Sequence, residues 1–163
     1  MARNAVKEAS RSRQKNNRSL ARLYEADETA WLELTSQLVK DRRFREIDYR
    51  NLSEYLSDMA RRDKREVLSR LIALLAHRLK WDHQPRKRSR SWALTMLEQQ
   101  NELEFDLQSK SLRNHALESL PKAYAKAVRW AAKETGLSED KFPAECPYTL
   151  DALLSEEWEN DHD

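Results

Sequence analysis

The chain has 163 residues, and its 30 Lys and Arg residues nearly balance its 28 Asp and Glu residues, which leaves a formal net charge of +2. Because the charges nearly balance, the net charge by itself points neither to a polyanionic nor to a polycationic partner. The single cysteine, Cys146, excludes an internal disulfide framework and any zinc site built from several cysteines. The length predicts one domain that is long enough to bury a core.

The sequence carries no sign of a membrane or secreted protein. Its N-terminal residues are polar and lack the apolar centre of a signal peptide. The apolar run at residues 71–76 is ended by His77 and Arg78, far short of the ~20 residues that cross a bilayer. We therefore expect a soluble protein of a reducing compartment, the cytoplasm, with no membrane contact.

Charge is segregated at the two ends of the chain. The first 22 residues carry seven Lys and Arg residues against one Glu, whereas the last residues are acidic. We expect a basic arm at residues 1–19 that is disordered or a frayed helical extension, a helical domain at residues 20–155 and an acidic tail at residues 156–163. Such ends can bind nucleic acid or a partner, although they are more often simply solvated.

The composition predicts an all-α fold. The chain has one glycine and few β-branched residues, whereas hairpin turns need residues that adopt positive φ and strands favour β-branched side chains. Alanine, leucine, glutamate, lysine and arginine dominate instead, and these favour helices. We expect a single bundle of about five helices around a central apolar helix at about residues 63–82, followed by an extended C-terminal segment with a short last helix.

Apolar periodicity and capping residues predict the first helices. One helix covers residues 27–40, and a second covers residues 48–60. Asp63 and Glu66 then have the spacing of a capping box, in which each side chain bonds a backbone N–H at the start of a helix. This pair is predicted to open the central helix.

The same signals predict the order of the later elements. The central helix ends near residues 81–83, because Pro85 disfavours helix at the residue before it. Ser89 or Ser91 caps the next helix, which ends near residue 109.

After a short turn at residues 112–117, the last long helix is predicted at residues 119–135. Pro121 falls in its first turn, where no intrahelical donor is needed, and Gly136 is its C-terminal stop. Thr149 caps the short final helix.

Six residues form a candidate polar cluster or ligand pocket. They are Glu54, His77, Lys80, Trp81, Gln84 and Trp92. His77, Lys80, Trp81 and Gln84 are spaced i, i+3, i+4 and i+7, so they share one helix face. Glu54 is expected to join them from the neighbouring helix. We favour a buried network in which Glu54 or Gln84 satisfies His77 and the tryptophans close over it, since buried polar groups are usually hydrogen-bonded. The alternative is an open pocket for an anion or small ligand, or an acid–base pair.

A basic turn is the best candidate for binding an anion or nucleic acid. Its cations are Arg86, Lys87, Arg88 and Arg90. These side chains can neutralise phosphates, and Trp81 or Trp92 beside them can stack on a base. The footprint is small, however, and Trp92 at helical spacing is more typical of a core residue.

Two weaker patterns have the residue types of a catalytic site and of a metal site. Arg70 and His77 have six residues between them, the spacing of an arginine–histidine pair in a class of helical ribonucleases, although the intervening segment is apolar. Glu159 and His162 have helical metal-ligand spacing, but no second carboxylate–histidine pair completes a site. We therefore expect no metal site, and we expect no cofactor, because one glycine cannot build a phosphate-binding loop.

Several segments together resemble a known family. They are Leu23-Tyr24-Glu25-Ala26-Asp27 with Trp31, Asn51-Leu52 with Glu54, His77-x-x-Lys80-Trp81-x-x-Gln84-Pro85, Arg88-Ser89-Arg90-Ser91-Trp92 and Cys146-Pro147-Tyr148-Thr149-Leu150. Over roughly residues 20–155 the chain resembles the bacterial and cyanobacterial domain-of-unknown-function family 29. The resemblance implies an all-helical, soluble, prokaryotic protein and implies no activity. The chain departs from the family pattern in two ways. Arg86 and Lys87 make the turn more basic, and the arm before Leu20 lies outside the resemblance.

Taken together, these patterns predict a non-enzymatic interaction module. Its partner would be a protein, including a second copy of the chain, or a nucleic acid bound through the basic arm and the turn at residues 86–90. The alternative is a helical nuclease that uses Arg70 and His77, or another hydrolase that uses Glu54, His77 and Lys80.

Overall fold

The computed structural model describes residues 18–157. This part of the chain forms six α-helices and three short 3₁₀-helices, and it contains no β-strand. The all-α prediction is therefore confirmed. Most of the predicted basic arm, and the predicted acidic tail from residue 158 onward, lie outside the described residues. The contacts divide the chain into two compact units, one that ends at Ala60 and one that starts at Arg61.

The described part of the first unit consists of two helices, the first turns of a third and one short 3₁₀-helix. Helix α1 covers residues 18–26, α2 covers Glu28–Lys40, and the first turns of α3 follow a 3₁₀-helix at Phe44–Glu46. The carboxylate of Asp27 caps α2, where its Oδ1 accepts a hydrogen bond from the Ala30 N–H at 3.0 Å. This matches the helix predicted at residues 27–40.

The core of the first unit is small and aromatic. Its fully buried centre is Trp31, whose ring lies 4.7 Å from that of Tyr24 and 5.7 Å from that of Tyr55, centroid to centroid. Leu20, Leu38 and Ile47 complete the buried set.

Helix α3 runs without a break from Tyr49 to His83. The prediction of two helices, at residues 48–60 and about 63–82, is therefore wrong. Residues 59–66 are exposed helix formers without glycine or proline, so no local signal ends the helix. Asp63 and Glu66 lie inside the helix and do not form a capping box. The end of α3 falls where Pro85 predicts it.

The second unit is built from the apolar part of α3 and three further helices. Helix α4 covers Arg90–Asp106, α5 covers Lys110–Thr135 and α6 covers Leu150–Ser155. Two predicted caps are present: Ser89 accepts a hydrogen bond from the Trp92 N–H and Thr149 accepts one from the Ala152 N–H.

The core of the second unit gathers apolar side chains from all four helices. The fully or almost fully buried ones include Val67, Leu71, Leu74, Leu75, Leu79, Met96, Leu103, Ala127, Ala131, Leu150 and Leu153. Five of these belong to α3, so this segment supplies the largest share of the core, as a central apolar helix would.

Helix α5 is longer than predicted, and Pro121 lies in its interior. The predicted separate turn at residues 112–117 is therefore wrong. Pro121 has no N–H to donate to the carbonyl of Leu117, four residues earlier, but the helix continues past this gap. Gly136 ends the helix as predicted, in a left-handed conformation with φ of 74°.

Between α5 and α6 the chain is extended, apart from a 3₁₀-helix at Glu139–Lys141, and this segment and α6 are attached to the rest of the second unit by specific contacts. The Tyr124 hydroxyl donates to the Pro143 carbonyl at 2.7 Å, and the His83 ring lies 4.8 Å from the Phe142 ring. Gln100 on α4 donates to the Leu153 carbonyl at 2.7 Å. Among the described helices, none has an apolar stretch long enough to span a bilayer.

Candidate functional site

Lys80 is a buried charge in the second unit. The residue is 3% exposed, and its Nζ lies 2.5 Å from Oε2 of Glu134 on α5. The same Nζ lies 4.9 Å from the centre of the Trp92 ring. An ammonium is costly to bury unless it is paired, so the carboxylate and the face of the indole together compensate for its loss of water.

Both carboxylate oxygens of Glu134 are engaged. Oε2 accepts from Lys80, and Oε1 accepts from the indole Nε1 of Trp130 at 2.6 Å. The hydrogen bond from Lys80 lowers the pKa of Glu134; burial opposes this shift and the Trp130 hydrogen bond adds to it. Glu134 is therefore an ionised residue whose two oxygens already have protein partners.

His77 lies beside this ion pair and is half-buried. Its Nδ1 is 2.9 Å from the Ala73 carbonyl, and its ring centre is 6.1 Å from that of Trp130. Burial lowers the pKa of His77, the Ala73 contact opposes this, and the charge of Lys80 lowers it further. A carbonyl can only accept, so Nδ1 carries the proton and Nε2 is left as an unprotonated acceptor in the neutral ring.

The basic turn is fixed to the ends of α3 and α5 by two contacts. Arg88 donates from Nε to the Trp81 carbonyl at 3.1 Å, and its guanidinium lies 4.9 Å above the Trp81 ring. Gln84 donates to the Thr135 carbonyl at 3.4 Å. Arg88 is thus held against Trp81.

The other three cations of the turn face solvent. Arg86 and Lys87 are exposed in the 3₁₀-helix at Pro85–Lys87, and Arg90 is exposed at the start of α4. They are available to an anionic partner.

Glu54 does not lie where the sequence places it. It is an exposed residue of the first unit and sits on α3 itself, several turns before His77, whereas a neighbouring helix is predicted. The sequence pattern predicts a break in the helix at residues 60–63, which would place Glu54 on a separate helix, and this break is absent.

The carboxylate that pairs with Lys80 is that of Glu134, and neither Glu134 nor its partner Trp130 is among the site residues predicted from the sequence. A signal for Glu134 exists: it follows Ala127 and Ala131 on the face of α5 that the apolar pattern marks as buried.

Arg70 is surrounded by acidic side chains. Its guanidinium lies 2.5 Å from Glu66, 3.2 Å from Glu102 and 3.7 Å from Asp106. These three carboxylates compete with any phosphate that a nuclease would bind at Arg70.

A groove with a volume of about 980 Å³ lies between α5 and residues 139–148. Its apolar wall is formed by Leu117, Leu120, Pro121, Tyr124, Val128, Phe142, Pro143, Cys146 and Tyr148. Three acids, Glu139, Asp140 and Glu145, line it together with one cation, Arg129. Its size is in the range of ligand-binding sites, about 300–1,000 Å³. No pattern in the sequence indicates this groove.

Neither metal nor thiol chemistry finds support in the described part of the chain. Within residues 18–157, no three His, Cys, Asp or Glu side chains are grouped so as to hold a metal ion. The predicted spacing of Glu159 and His162 lies outside these residues. Cys146 contacts the Tyr148 carbonyl at 3.4 Å, and burial raises the pKa of its thiol, so the reactive thiolate is disfavoured.

Comparison with known proteins supplies the family. The family model described as domain of unknown function DUF29 matches residues 23–159, which is most of the chain. Neither the search of curated proteins nor the search of solved structures gives a match. The resemblance found in the sequence motifs is therefore confirmed, and the chain belongs to the family of domains of unknown function DUF29.

Proposed function

We propose that this domain is a non-enzymatic protein-interaction module, and that its binding site is the groove between α5 and residues 139–148. The groove carries the proposal, because it combines an apolar wall with a charged rim on one face of the second unit. The single cysteine and the family resemblance support a place for the module in the bacterial cytoplasm.

The charges of the rim favour one kind of occupant. Glu139, Asp140 and Glu145 outnumber Arg129, so the groove attracts cationic groups more than anionic ones. The occupant that fits is a short peptide segment of a partner protein, with one or two large apolar side chains flanked by Lys or Arg. Charge complementarity of this kind mainly provides specificity and a faster association.

The backbone of α5 adds an acceptor to the same groove. Pro121 cannot donate to the carbonyl of Leu117, and both residues line the groove. This carbonyl lacks its usual helical donor, so it is suited to accept a hydrogen bond from a peptide N–H or a lysine ammonium.

The contacts at the polar cluster favour binding over catalysis. Lys80 is buried against Glu134, and Arg70 is bound by three carboxylates, so neither side chain is poised to meet a substrate. A catalytic base must reach a proton at hydrogen-bond distance. The alternative reading, a nuclease or hydrolase, would depend on His77 almost alone.

The groove is tested by fluorescence anisotropy with two labelled amphipathic peptides. They share one leucine face, and the opposite face carries lysines in one and glutamates in the other. The lysine peptide should bind more tightly, and Leu117→Ser should weaken it by about tenfold through lost apolar burial. Glu145→Lys should weaken it most at low salt.

The matched control is Leu56→Ser, which removes a leucine of the first unit with similar exposure. It should leave the affinity unchanged. Equal binding of the two peptides, or wild-type affinity of Leu117→Ser, would contradict the groove as the site.

Nucleic-acid binding is the second candidate, and the exposure of Arg86, Lys87 and Arg90 favours it. Retention on RNA at two salt concentrations tests it, with the whole protein, a form that lacks residues 1–19 and a variant with all three cations changed to Gln. A salt-dependent loss in either altered form would support this candidate. Equal elution of all three would exclude it.

A further inference from the structure

Helix α4 carries an apolar stripe on its solvent side. The stripe consists of Leu94, Leu97 and Phe105, with the polar Asn101 between the last two, and the spacing of three and four residues places all four along one face. Leu94 is 54% exposed, Leu97 48% and Phe105 73%. Large apolar side chains grouped in this way on a helix surface mark an interaction site.

The stripe lies on the face turned away from the core of the second unit. The inward face of α4 is formed by Ala93, Met96, Gln100 and Leu103, which are all buried. The stripe is therefore not a margin of the core, and it has no covering element among the described residues, as its exposure shows.

The charges of α4 run against its own dipole. Arg90 occupies the first turn, and Glu104 and Asp106 lie in the last, where the helix dipole favours the opposite signs. The position of Asp106 is explained by its ion pair with Arg70 on α3. The positions of Arg90 and Glu104 are not explained by a partner within α4. A second helix with the opposite direction would place complementary charges beside both.

We propose that two copies of the chain associate through the α4 stripe, with the two helices antiparallel about a two-fold axis near Leu97. Each Arg90 then lies beside Glu104 of the other copy, Leu97 packs against Leu97, and Leu94 of one helix packs near Asn101 of the other. Phe105 packs beside the Arg90 end of the other helix. A parallel pair would instead place Arg90 beside Arg90 and Glu104 beside Glu104, which repel. A symmetric interface of one surface with itself gives a closed dimer.

The size of the surface indicates a weak dimer. Helix α4 has 17 residues and is therefore about 25 Å long. Three large apolar side chains from each copy cover less than the about 800 Å² per partner that is usual in stable complexes. Association is therefore expected in the micromolar range or above, and it is independent of the groove.

Sedimentation velocity over a concentration series, from low micromolar to sub-millimolar, tests this proposal with the full chain at low salt. The wild type should shift from monomer to dimer. Phe105→Ser should stay monomeric, and Leu56→Ser should behave as the wild type, because Leu56 is an exposed leucine (56%) far from α4 in sequence. Circular dichroism should show the same helix content in all variants.

Charge reversal tests the antiparallel register. Arg90→Glu and Glu104→Arg should each weaken the dimer by several-fold, and the double variant should restore it, because every pair is then reversed. A wild type that remains monomeric through the series would overturn the proposal. Dissociation of the dimer by Leu56→Ser but not by Phe105→Ser would also overturn it. A double variant that dimerises more weakly than both single variants would do the same.

Discussion

Lys80 and Glu134 join α3 to α5 through a contact of 2.5 Å, yet the two partners differ in exposure. The Lys80 side chain is 4% exposed, whereas that of Glu134 is 42% exposed. Loss of Glu134 therefore leaves a buried cation without its carboxylate, whereas loss of the Lys80 charge leaves a carboxylate that water can reach. The pair should respond unequally to substitution.

Glu134→Ala should destabilise the protein by about 1–3 kcal/mol, below the range for a fully buried pair because Glu134 is partly solvated. Lys80→Met should cost less, since a methionine fills a similar volume and removes the buried charge. Urea unfolding measures both, and the double variant should resemble Lys80→Met. Equal losses in the two single variants would contradict a buried ion pair of this geometry.

His77 should make stability depend on pH. Burial lowers the pKa of His77 below its ordinary value of 6.5, so between the two values the unfolded state binds a proton that the folded state does not. The stability that depends on neutral His77 is therefore fully present above pH 6.5 and is lost as the pH falls through the pKa of His77 in the folded state. Urea midpoints between about pH 7.5 and pH 5 should show this decline in the wild type and a smaller one in His77→Gln. Identical declines would show that His77 titrates normally.

The continuity of α3 makes Asp63 dispensable. Asp63→Ala should change the free energy of unfolding by no more than about 0.5 kcal/mol, because Asp63 is an exposed interior residue of the helix. Asp27→Ala is the matched comparison and should cost about 1 kcal/mol, since it removes the observed cap of α2. A larger loss for Asp63→Ala than for Asp27→Ala would indicate that a helix begins at residue 63.

Tyr148 should anchor the extended segment to α3. Its hydroxyl donates to Asp82 at 2.7 Å, and Asp82 also accepts from Arg78. Tyr148→Phe keeps the ring on which Arg78 lies but removes this hydrogen bond, so it should cost about 1 kcal/mol. Tyr49→Phe, at an exposed tyrosine of the first unit, is the control and should be neutral in the same urea titration. If the two variants are equally stable, the Tyr148 bond contributes nothing.

Local signals explain what the sequence predicts well. The caps at Ser89 and Thr149 and the stop at Gly136 each depend on a few neighbouring residues, and all three occur in the structure. The all-α class follows in the same way from composition. The spacing of Asp63 and Glu66 wrongly predicts the start of a helix, because the same two residue types also occur in the interior of an exposed helix.

The site depends on contacts that local patterns do not contain. Lys80 and Glu134 are far apart in the chain, and periodicity shows only that each lies on an inward face. The groove requires residues 139–148 to be placed against α5, which the Tyr124 contact with Pro143 achieves. Neither relationship has a signature in one segment of sequence.

A backbone-amide NMR titration with the lysine-bearing peptide tests the assignment of the groove most directly. The expected result is a set of shift changes confined to residues 117–129 and 139–148, with the indole signals of Trp92 and Trp130 unmoved. Changes centred on His77 and Lys80, or on residues 86–90, would contradict the assignment and would move the binding site to the polar cluster or to the basic turn.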